Sequence, residues 1–328
     1  MPISNGVGRS IAFAKEVTFG VAPAATAAKV MTRIEHTLNV NIDTLSSEEI
    51  RTDYQKGEVR NGFRKVEGDI KGELAAGQWS LLFAAALRGS FGTAAAPLVA
   101  KTGTPASEKT GKIVSVPLTG HTSDSFTLED WFSDVPLGIL YKGCRVSKIE
   151  FDIKPDGYVG VAVSFIGVDG TDSATRYFTS PATVTQSAKM SGVLGKLMVN
   201  GVSSAVVTGA KISIDLGASS EAVVGSNVAP DVYIGSVKVD GSLTCYFNDA
   251  SMRAAANADT AMSLALRVDA SSAIASDYVA IVLPAIKLSM PSLDDGEKLL
   301  TQSVNFTAYP AVFGALAATT IAIQDTLA

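Results

Sequence analysis

Residues that could perform acid–base or nucleophilic chemistry are few in this sequence. The chain contains two histidines, His36 and His121, and neither has a cysteine or a second histidine at metal-site spacing. The segment 6–10 resembles a phosphate-binding loop, but no lysine follows its glycines and no strand is predicted before it. No Gly-x-Ser-x-Gly sequence supports a hydrolase elbow. We therefore predict that the protein is not an enzyme and uses no metal or other cofactor.

Carboxylates at alternate positions are a more informative set. In Arg60–Leu74 the charged residues Lys65, Glu67, Asp69, Lys71 and Glu73 alternate with apolar or small residues, among them Val66, Ile70 and Leu74. A period of two is typical of a strand that is buried on one face only. The carboxylates should therefore lie together on the outward face of a strand.

The same alternation returns at Ile234–Phe247. Lys65-Val66-Glu67-Gly68 matches Lys238-Val239-Asp240-Gly241. An internal repeat of this kind indicates two tandem structural units.

The elements around the repeated strand also correspond. A preceding strand is predicted at 34–43 and again at 210–216, with Asn41-Ile42-Asp43 matched to Ser213-Ile214-Asp215. Long loops follow at 44–61 and 217–233, and helices are predicted at 76–88, ending near Gly89, and at 248–259. Hairpins complete each unit, at 144–168 around a turn at 155–157 and at 278–309 around a turn at 294–296.

These elements predict a mainly β protein with two tandem β-sandwich or barrel units, each with one flanking helix and a long loop. The first unit covers 1–170 and carries a Gly-, Ala-, Thr-, Ser- and Pro-rich insertion at 90–124. A linker is predicted at 171–193, and the second unit covers 194–328.

Composition narrows the possible environments. The chain is 47% hydrophobic and 18% charged, which indicates surface buried between subunits. A formal net charge of −5 argues against a basic groove that grips nucleic acid. No secretory signal is visible, and the apolar runs are too short to span a bilayer, so an intracellular, soluble product without membrane contact is predicted.

The outward strand faces are polar with a negative bias. An ordinary solvated sheet face is the simplest interpretation, but open strand edges invite pairing with another chain. The predicted outward residues are Asn39, Asn41, Glu67, Asp69, Glu73, Glu150, Asp152, Ser213, Asp215, Asp240 and Ser242.

Four features together resemble the major tail tube proteins of long-tailed (siphovirus-like) bacteriophages. They are the opening Ala14–Gly20, Ser213-Ile214-Asp215 with its long loop, the strand from Gly235 through Leu243 into Tyr246–Asp249, and the late strand around Leu283–Leu288. The resemblance spans most of the chain as a diffuse pattern, and the second unit fits it better.

The resemblance implies a subunit whose β-sandwich contributes strands to an inner barrel closed by six units. Two units per chain then imply rings of three chains, a pseudo-hexamer; if one unit is peripheral, six chains are needed. The outward residues named above would line a lumen through which double-stranded DNA passes without tight binding. The long loops would reach an adjacent ring through Glu48, Glu49, Arg51, Asp53, Tyr54, Lys56, Glu221, Asn227, Asp231 and Tyr233.

The resemblance also implies partners and a location. These are further copies of the chain, the tape measure protein, the tail terminator and distal tail proteins, in a virion tail whose subunits are made in the host cytoplasm. Two alternatives stay open: the inner tube of a contractile injection system, and a bacterial surface or S-layer β module, against which the absent export signal counts.

Overall fold

The computed structural model describes residues 5–102, 105–203, 206–248, 250–294 and 299–328. The protein is mainly β, as predicted, and its described residues contain two short helices, α1 (Ser80–Ala86) and α2 (Ser251–Asn257).

Twelve strands precede residue 190. They are β1 (Arg9–Lys15), β2 (Lys29–Met31), β3 (Glu35–His36), β4 (Asn39–Ser46), β5 (Val59–Glu73), β6 (Ala94–Ala95), β7 (Gly111–Ser115), β8 (Phe126–Phe132), β9 (Leu137–Ile153), β10 (Gly160–Gly167), β11 (Asp169–Ser173) and β12 (Ala182–Thr183).

The remaining strands lie after residue 194. They are β13 (Gly195–Val199), β14 (Val202–Ser203), β15 (Val207–Asp215), β16 (Ser219–Ser220), β17 (Val232–Tyr233), β18 (Lys238–Tyr246), β19 (Met262–Asp269), β20 (Tyr278–Leu288), β21 (Ser292–Leu293), β22 (Thr301–Tyr309), β23 (Ala311–Phe313), β24 (Leu316–Thr319) and β25 (Ala322–Asp325).

Two sets of strands pair in the same order. The first set runs β4, β5, β10, β9, and the second runs β15, β18, β22, β20. Strand β9 also pairs antiparallel with β15, so the two sets form one continuous sheet. In each set a helix follows the repeated strand, α1 after β5 and α2 after β18.

The register corrects one detail of the sequence comparison. Asn39 lies opposite Glu67, and Ser213 lies opposite Asp240, so Asn39 occupies the place of Ser213. The match of Asn41 to Ser213 is therefore wrong by two residues. Because side chains alternate with a period of two, a slip of two keeps every residue on its face, and the hydrophobic pattern could not detect it.

The core lies on the other face of the sheet. Val66 and Ile70 of β5 are fully buried, as are Ile149 of β9 and Ile214 of β15. Helix α1 packs there through Phe83, whose ring lies 5.5 Å from that of Phe151. Burying each of these side chains contributes about 1.5–3 kcal/mol, which explains why apolar residues occupy alternate positions.

The helices are shorter than the predicted 76–88 and 248–259. After α1 the left-handed residue is Arg88, with φ of 51°, and not the expected Gly89. A Cβ on Gly89 would lie 2.9 Å from the Ser115 carbonyl oxygen, so close packing explains this glycine. Asp249 and most of the turn predicted at 294–296 lie outside the described residues.

The first long loop is shorter than the predicted 44–61. Strand β4 continues to Ser46 and β5 begins at Val59, so the loop covers 47–58 and the two strands form a long hairpin. The sequence there lacks alternation because both faces of this part of the hairpin meet solvent.

The segments predicted as linker and insertion are integral parts of the fold. Within 171–193, β12 pairs with β2, and Phe178 and Met190 are fully buried. Within 90–124, β7 pairs with β25, which in turn pairs with β20 of the second unit. The insertion therefore packs against the second unit and not only against its own.

Candidate functional site

The predicted polar residues share one face of the sheet. The strand register places Asn39 beside Glu67, Glu150 beside Ser213, and Ser213 beside Asp240. Directly opposed residues project to the same side, and residues two apart on a strand do so as well. The face therefore holds all eleven: Asn39, Asn41, Glu67, Asp69, Glu73, Glu150, Asp152, Ser213, Asp215, Asp240 and Ser242.

This polar face is concave. A trough of about 730 Å³ runs along it, and strands of both units line the trough. Its lining includes Glu150, Asp152, Ser213 and Asp240 of the predicted set. Asn305 and Thr307 of β22 also line it, and the sequence comparison did not single them out.

Six lysines lie on the same face. Lys65 and Lys71 belong to the predicted alternation, and the other four were missed although their positions have the parity of the carboxylates. The six are Lys65, Lys71, Lys148, Lys211, Lys238 and Lys287, almost as many as the carboxylates. The face of one chain is therefore a mixture of charges, less acidic than the predicted negative bias.

Several of these lysines form ion pairs. Lys148 Nζ lies 2.6 Å from Glu150 Oε1, and Lys71 Nζ lies 2.7 Å from Glu35 Oε2. In each pair the hydrogen bond to the carboxylate raises the pKa of the lysine, which keeps it protonated. Because these pairs are exposed, they set the local charge and contribute little to stability.

The sheet has an open edge in each unit. Among the described strands, β4 is hydrogen-bonded only to β5. At the other end, β19 covers β20 up to Ile286, and residues 287–293 pair only with β22 in the part of the chain that is described. Met290 and Leu293 are exposed along this second edge. Open, partly apolar edges are sites for pairing with another chain.

The loop between β4 and β5 projects from the body of the protein. All six residues predicted there to reach another ring are exposed: Glu48, Glu49, Arg51, Asp53, Tyr54 and Lys56. Arg51 and Asp53 pair within the loop, and Tyr54 adopts a left-handed φ of 57°. We call residues 41–64, which comprise β4 from Asn41 onward, this loop and the first part of β5, the hairpin arm.

The loop of the second unit lies against its own chain. The carbonyl of Asn227 accepts a hydrogen bond from the Arg64 amide, with an N–O distance of 2.7 Å, and Asp231 pairs with Arg145 at 3.0 Å. Arg145 also donates to the Val232 carbonyl and stacks over Phe19. Glu221 and Tyr233 remain exposed. The two loops, predicted to act alike, are thus placed differently.

A buried ion cluster joins the insertion to the second unit. Arg267 pairs with Glu108 of the insertion and with Asp269, and all three side chains are buried. The backbone amides of Lys101 and Thr102 also donate to Glu108. Burial acts against the charged carboxylate, but these amides and Arg267 outweigh it and lower the pKa of Glu108.

A second buried cluster lies under the first unit. Arg9 Nε donates to Asp130 at 2.8 Å, and His36 Nε2 lies 3.3 Å from the same carboxylate. Burial opposes ionisation of Asp130, but these two partners prevail and lower its pKa. Such clusters hold elements together, and neither offers an open site for a substrate.

Two further observations concern ligands and membranes. Among the described residues, no three His, Cys, Asp or Glu side chains are grouped to hold a metal ion. In the same residues, no helix has the length and apolar character needed to cross a bilayer. Cys144 and Cys245 are buried, and no disulfide joins them.

Comparison with known proteins gives one result. No curated protein sequence matches the chain. A model of the family described as phage tail tube protein matches residues 6–308, which is nearly the whole chain. The chain therefore belongs to the phage tail tube protein family and is a structural component of a virion tail.

Proposed function

We propose that three copies of this chain close into a ring of six units, and that stacked rings form a conduit for double-stranded DNA. The observation that carries the proposal is the repeated pairing order, with one unit already joined to the next through β9 and β15. Repeating that junction between chains would join the open edge after β20 to the open edge of β4. Ring closure leaves no unpaired edge.

The junction within the chain predicts the residues of the junction between chains. Within the chain, Ser213 of β15 lies opposite Glu150 of β9. Asn39 holds the place of Ser213, as the register showed. Ser292 occupies the position of Glu150. Glu150 lies opposite Ala162 of β10, and Ser292 lies opposite Ser303 of β22, the strand that corresponds to β10. We therefore expect Asn39 of one chain to lie opposite Ser292 of the next.

The correspondence of Ser303 to Ala162 has independent support. Gly68 lies opposite Phe165 in the first unit, and Gly241 lies opposite Phe306 in the second. Ala162 and Ser303 each precede that phenylalanine by three residues. The same cross-strand pair thus aligns the two units.

The concave polar face supports the conduit role. DNA is a dense polyanion, and unpaired basic residues would bind it tightly through counterion release. Here the lysines alternate with carboxylates, and pairs such as Lys148–Glu150 neutralise each other. A surface of this kind offers DNA a hydrated wall without a strong net attraction. The other tail proteins that cap or fill such a tube are expected partners.

Paired cysteines at Asn39 and Ser292 test the ring junction. In tubes of the Asn39→Cys/Ser292→Cys variant, mild oxidation should link neighbouring chains, because opposed residues on antiparallel strands have Cβ atoms about 4.5–5.5 Å apart. Denaturing, non-reducing gels should show a ladder that ends at three chains. The native thiols do not interfere, since Cys144 and Cys245 are buried.

Two control pairs calibrate the result. Glu150→Cys/Ser213→Cys should form a disulfide within one chain, and Asn39→Cys/Ser303→Cys should form none, since about two strand spacings of ~4.8 Å separate those positions. Absence of cross-linking in assembled Asn39→Cys/Ser292→Cys tubes would contradict the edge pairing. A ladder that continues to six chains would replace the three-chain ring by a six-chain ring.

A further inference from the structure

The sheet has two distinct ends. Strands β5 and β18 begin at the loop end, where the hairpin arm and the second loop lie, and finish at the helix end, just before α1 and α2. The two units differ at both ends, and the differences complement each other.

At the helix end, the first unit is covered by its own chain. The Leu74 amide donates to the Val159 carbonyl at 2.8 Å, closing the end of the sheet. The segment 187–190 crosses over this point, and the Met190 amide donates to Leu74 while the Met190 carbonyl accepts from Val159. Met190 is fully buried, and Leu74 and Val159 are 1% and 0% exposed.

The second unit has the corresponding backbone hydrogen bond, but the residues that form it are exposed. The Phe247 amide donates to the Leu300 carbonyl at 2.9 Å, which matches the Leu74–Val159 bond. Yet Phe247 and Leu300 are 39% and 43% exposed, and Tyr246 and Leu299 beside them are exposed as well. Within the described residues, no segment crosses here as 187–190 does in the first unit. We call Tyr246, Phe247, Leu299 and Leu300 the open patch.

At the loop end, the situation is reversed. The second loop is held on its own chain by Asn227 and Asp231, and Ala229 and Val232 are buried there. The hairpin arm is held only at its base, through Arg64, and Ile50 and Tyr54 at its tip are fully exposed. Each chain therefore has one projecting arm and one open patch, at opposite ends of the same sheet.

We infer that the hairpin arm of one chain docks on the open patch of a chain in the neighbouring ring. This inference rests on the proposed tube and names the surface that receives the arm. An arm at one end and its acceptor at the other make a head-to-tail contact, which propagates without closing. The arm spans about 17 Å between Arg64 and Val59, at ~3.4 Å per residue, before its loop begins.

The cover on the first unit indicates how the arm binds. Segment 187–190 covers Leu74 and Val159 through the backbone hydrogen bonds of Met190 and its buried side chain. The tip of the arm offers exposed backbone and two apolar side chains, Ile50 and Tyr54. Removing the exposed apolar surface of Phe247, Leu299 and Leu300 from water favours docking, whereas the loss of freedom in the arm opposes it.

Lysine substitutions in the patch and the arm test the inference. Leu299→Lys and Ile50→Lys should each fold, because both side chains are exposed, and each should still form rings. Each should lower the yield of tubes about tenfold or more at equal protein concentration, since a tenfold change needs only about 1.4 kcal/mol at each docking site. Negative-stain microscopy and sedimentation distinguish rings from tubes.

The chain contains a matched control for each variant. Tyr158 precedes Val159 as Leu299 precedes Leu300, so Tyr158→Lys places the same charge at the covered end of the first unit. Val224→Lys places it on the exposed tip of the docked second loop. Both controls should assemble like the unaltered chain.

The outcomes separate this inference from the proposed function. Normal tubes from Leu299→Lys and Ile50→Lys would overturn the docking while leaving the ring and tube in place. Tubes lost equally in all four variants would also overturn it, because the effect would then not be specific to arm and patch. An unaltered chain that forms neither rings nor tubes would contradict the proposed function itself.

Discussion

Gly241 shows how a single residue permits the sheet to form. A Cβ at this position would lie 2.3 Å from the Lys211 carbonyl oxygen and from the ring of Phe306. Gly68 is similar, with a Cβ position 2.4 Å from Leu38 Cα. Both glycines therefore mark a close approach of strands, and at Gly241 the ring of Phe306 on the neighbouring strand occupies the space that a side chain would take.

Gly241→Ala should lower the free energy of unfolding by about 1–3 kcal/mol, because the backbone carbonyl cannot move aside as a side chain could. Chemical denaturation monitored by circular dichroism measures the change. Gly157→Ala is the matched control, since no atom lies within 4 Å of its Cβ position. A neutral Gly241→Ala together with a neutral control would contradict the close approach.

Asp130 provides a pH-dependent contribution to stability. Arg9 and His36 hold its pKa below the usual value of 3.8 in the folded chain. A carboxylate with a lowered folded pKa stabilises the protein fully above its unfolded pKa, and this contribution disappears as pH falls through the folded pKa.

Asp130→Asn should therefore lower the free energy of unfolding by about 3–5 kcal/mol near pH 7. The substitution removes the buried negative charge that Arg9 and His36 contact. The difference between variant and unaltered chain should shrink as the pH is lowered below about 4. Denaturant unfolding of both chains across this range measures the difference. An unchanged gap between the two proteins at low pH would argue against ionisation as its cause.

At the scale of elements, the two long loops differ in how they are held to the rest of the chain. Asn227 and Asp231 fix the second loop to Arg64 and Arg145, whereas no such contact holds the tip of the hairpin arm in the described residues. Segments that gain their contacts only on assembly are ordered by that assembly.

Hydrogen exchange should resolve this difference. Amides of residues 47–58 should exchange rapidly in the free chain and become protected in tubes, whereas the Arg64 and Gly235 amides, bonded within the chain, should be protected in both states. Equal protection of residues 47–58 in the free chain and in the tube would show that the arm is not ordered by contact with another ring. Rapid exchange of the Arg64 amide in the free chain would show that the second loop also becomes ordered only on assembly.

Much of the fold followed from alternation, and the remainder needed long-range contacts. Period two in Lys65–Glu73 predicted both the strand and the face of its carboxylates. It could not reveal that β7 leaves its own unit to pair with β25, because short strands in a Gly- and Ala-rich segment carry little pattern.

The candidate site was predicted in the same partial way. The parity of Glu150 and Asp240 placed them on one face, and the same parity, which included Lys65 and Lys71, also holds for Lys148 and Lys211. The open patch had no sequence signal. Phe247 and Leu300 are apolar like their counterparts Leu74 and Val159, which are buried in the first unit. Only the absence of a covering segment in the described residues distinguishes them.

At the scale of the whole molecule, charge on the concave face determines how DNA moves in the proposed tube. The combined change of Glu67, Asp69 and Asp240 to lysine removes the ion-pair partner of Lys65 and makes the face strongly basic. Tubes of this variant should retain double-stranded DNA at low salt, with retention falling steeply as salt is raised.

Genome delivery by virions carrying these three substitutions should be slower than normal. Filter retention of DNA by purified tubes and the rate of genome release measure the two effects. Replacing the exposed Asp156, Asp172 and Glu221, which belong neither to the predicted lumen residues nor to the hairpin arm, by lysine is a control with equal charge change. If the lumen variant assembles tubes that neither hold DNA nor slow delivery, the lumen assignment is wrong.

The pairing of β7 with β25 has a consequence for folding. Gln324 of β25 is fully buried and bonded to the insertion, donating to the carbonyls of Ala96 and Gly111 and accepting from the Leu98 amide. During translation β7 must therefore wait until nearly all of the second unit has emerged. Such distant contacts slow folding, and we expect both units to unfold in a single cooperative transition. A chain cut between the units should regain its native structure only when both fragments are mixed.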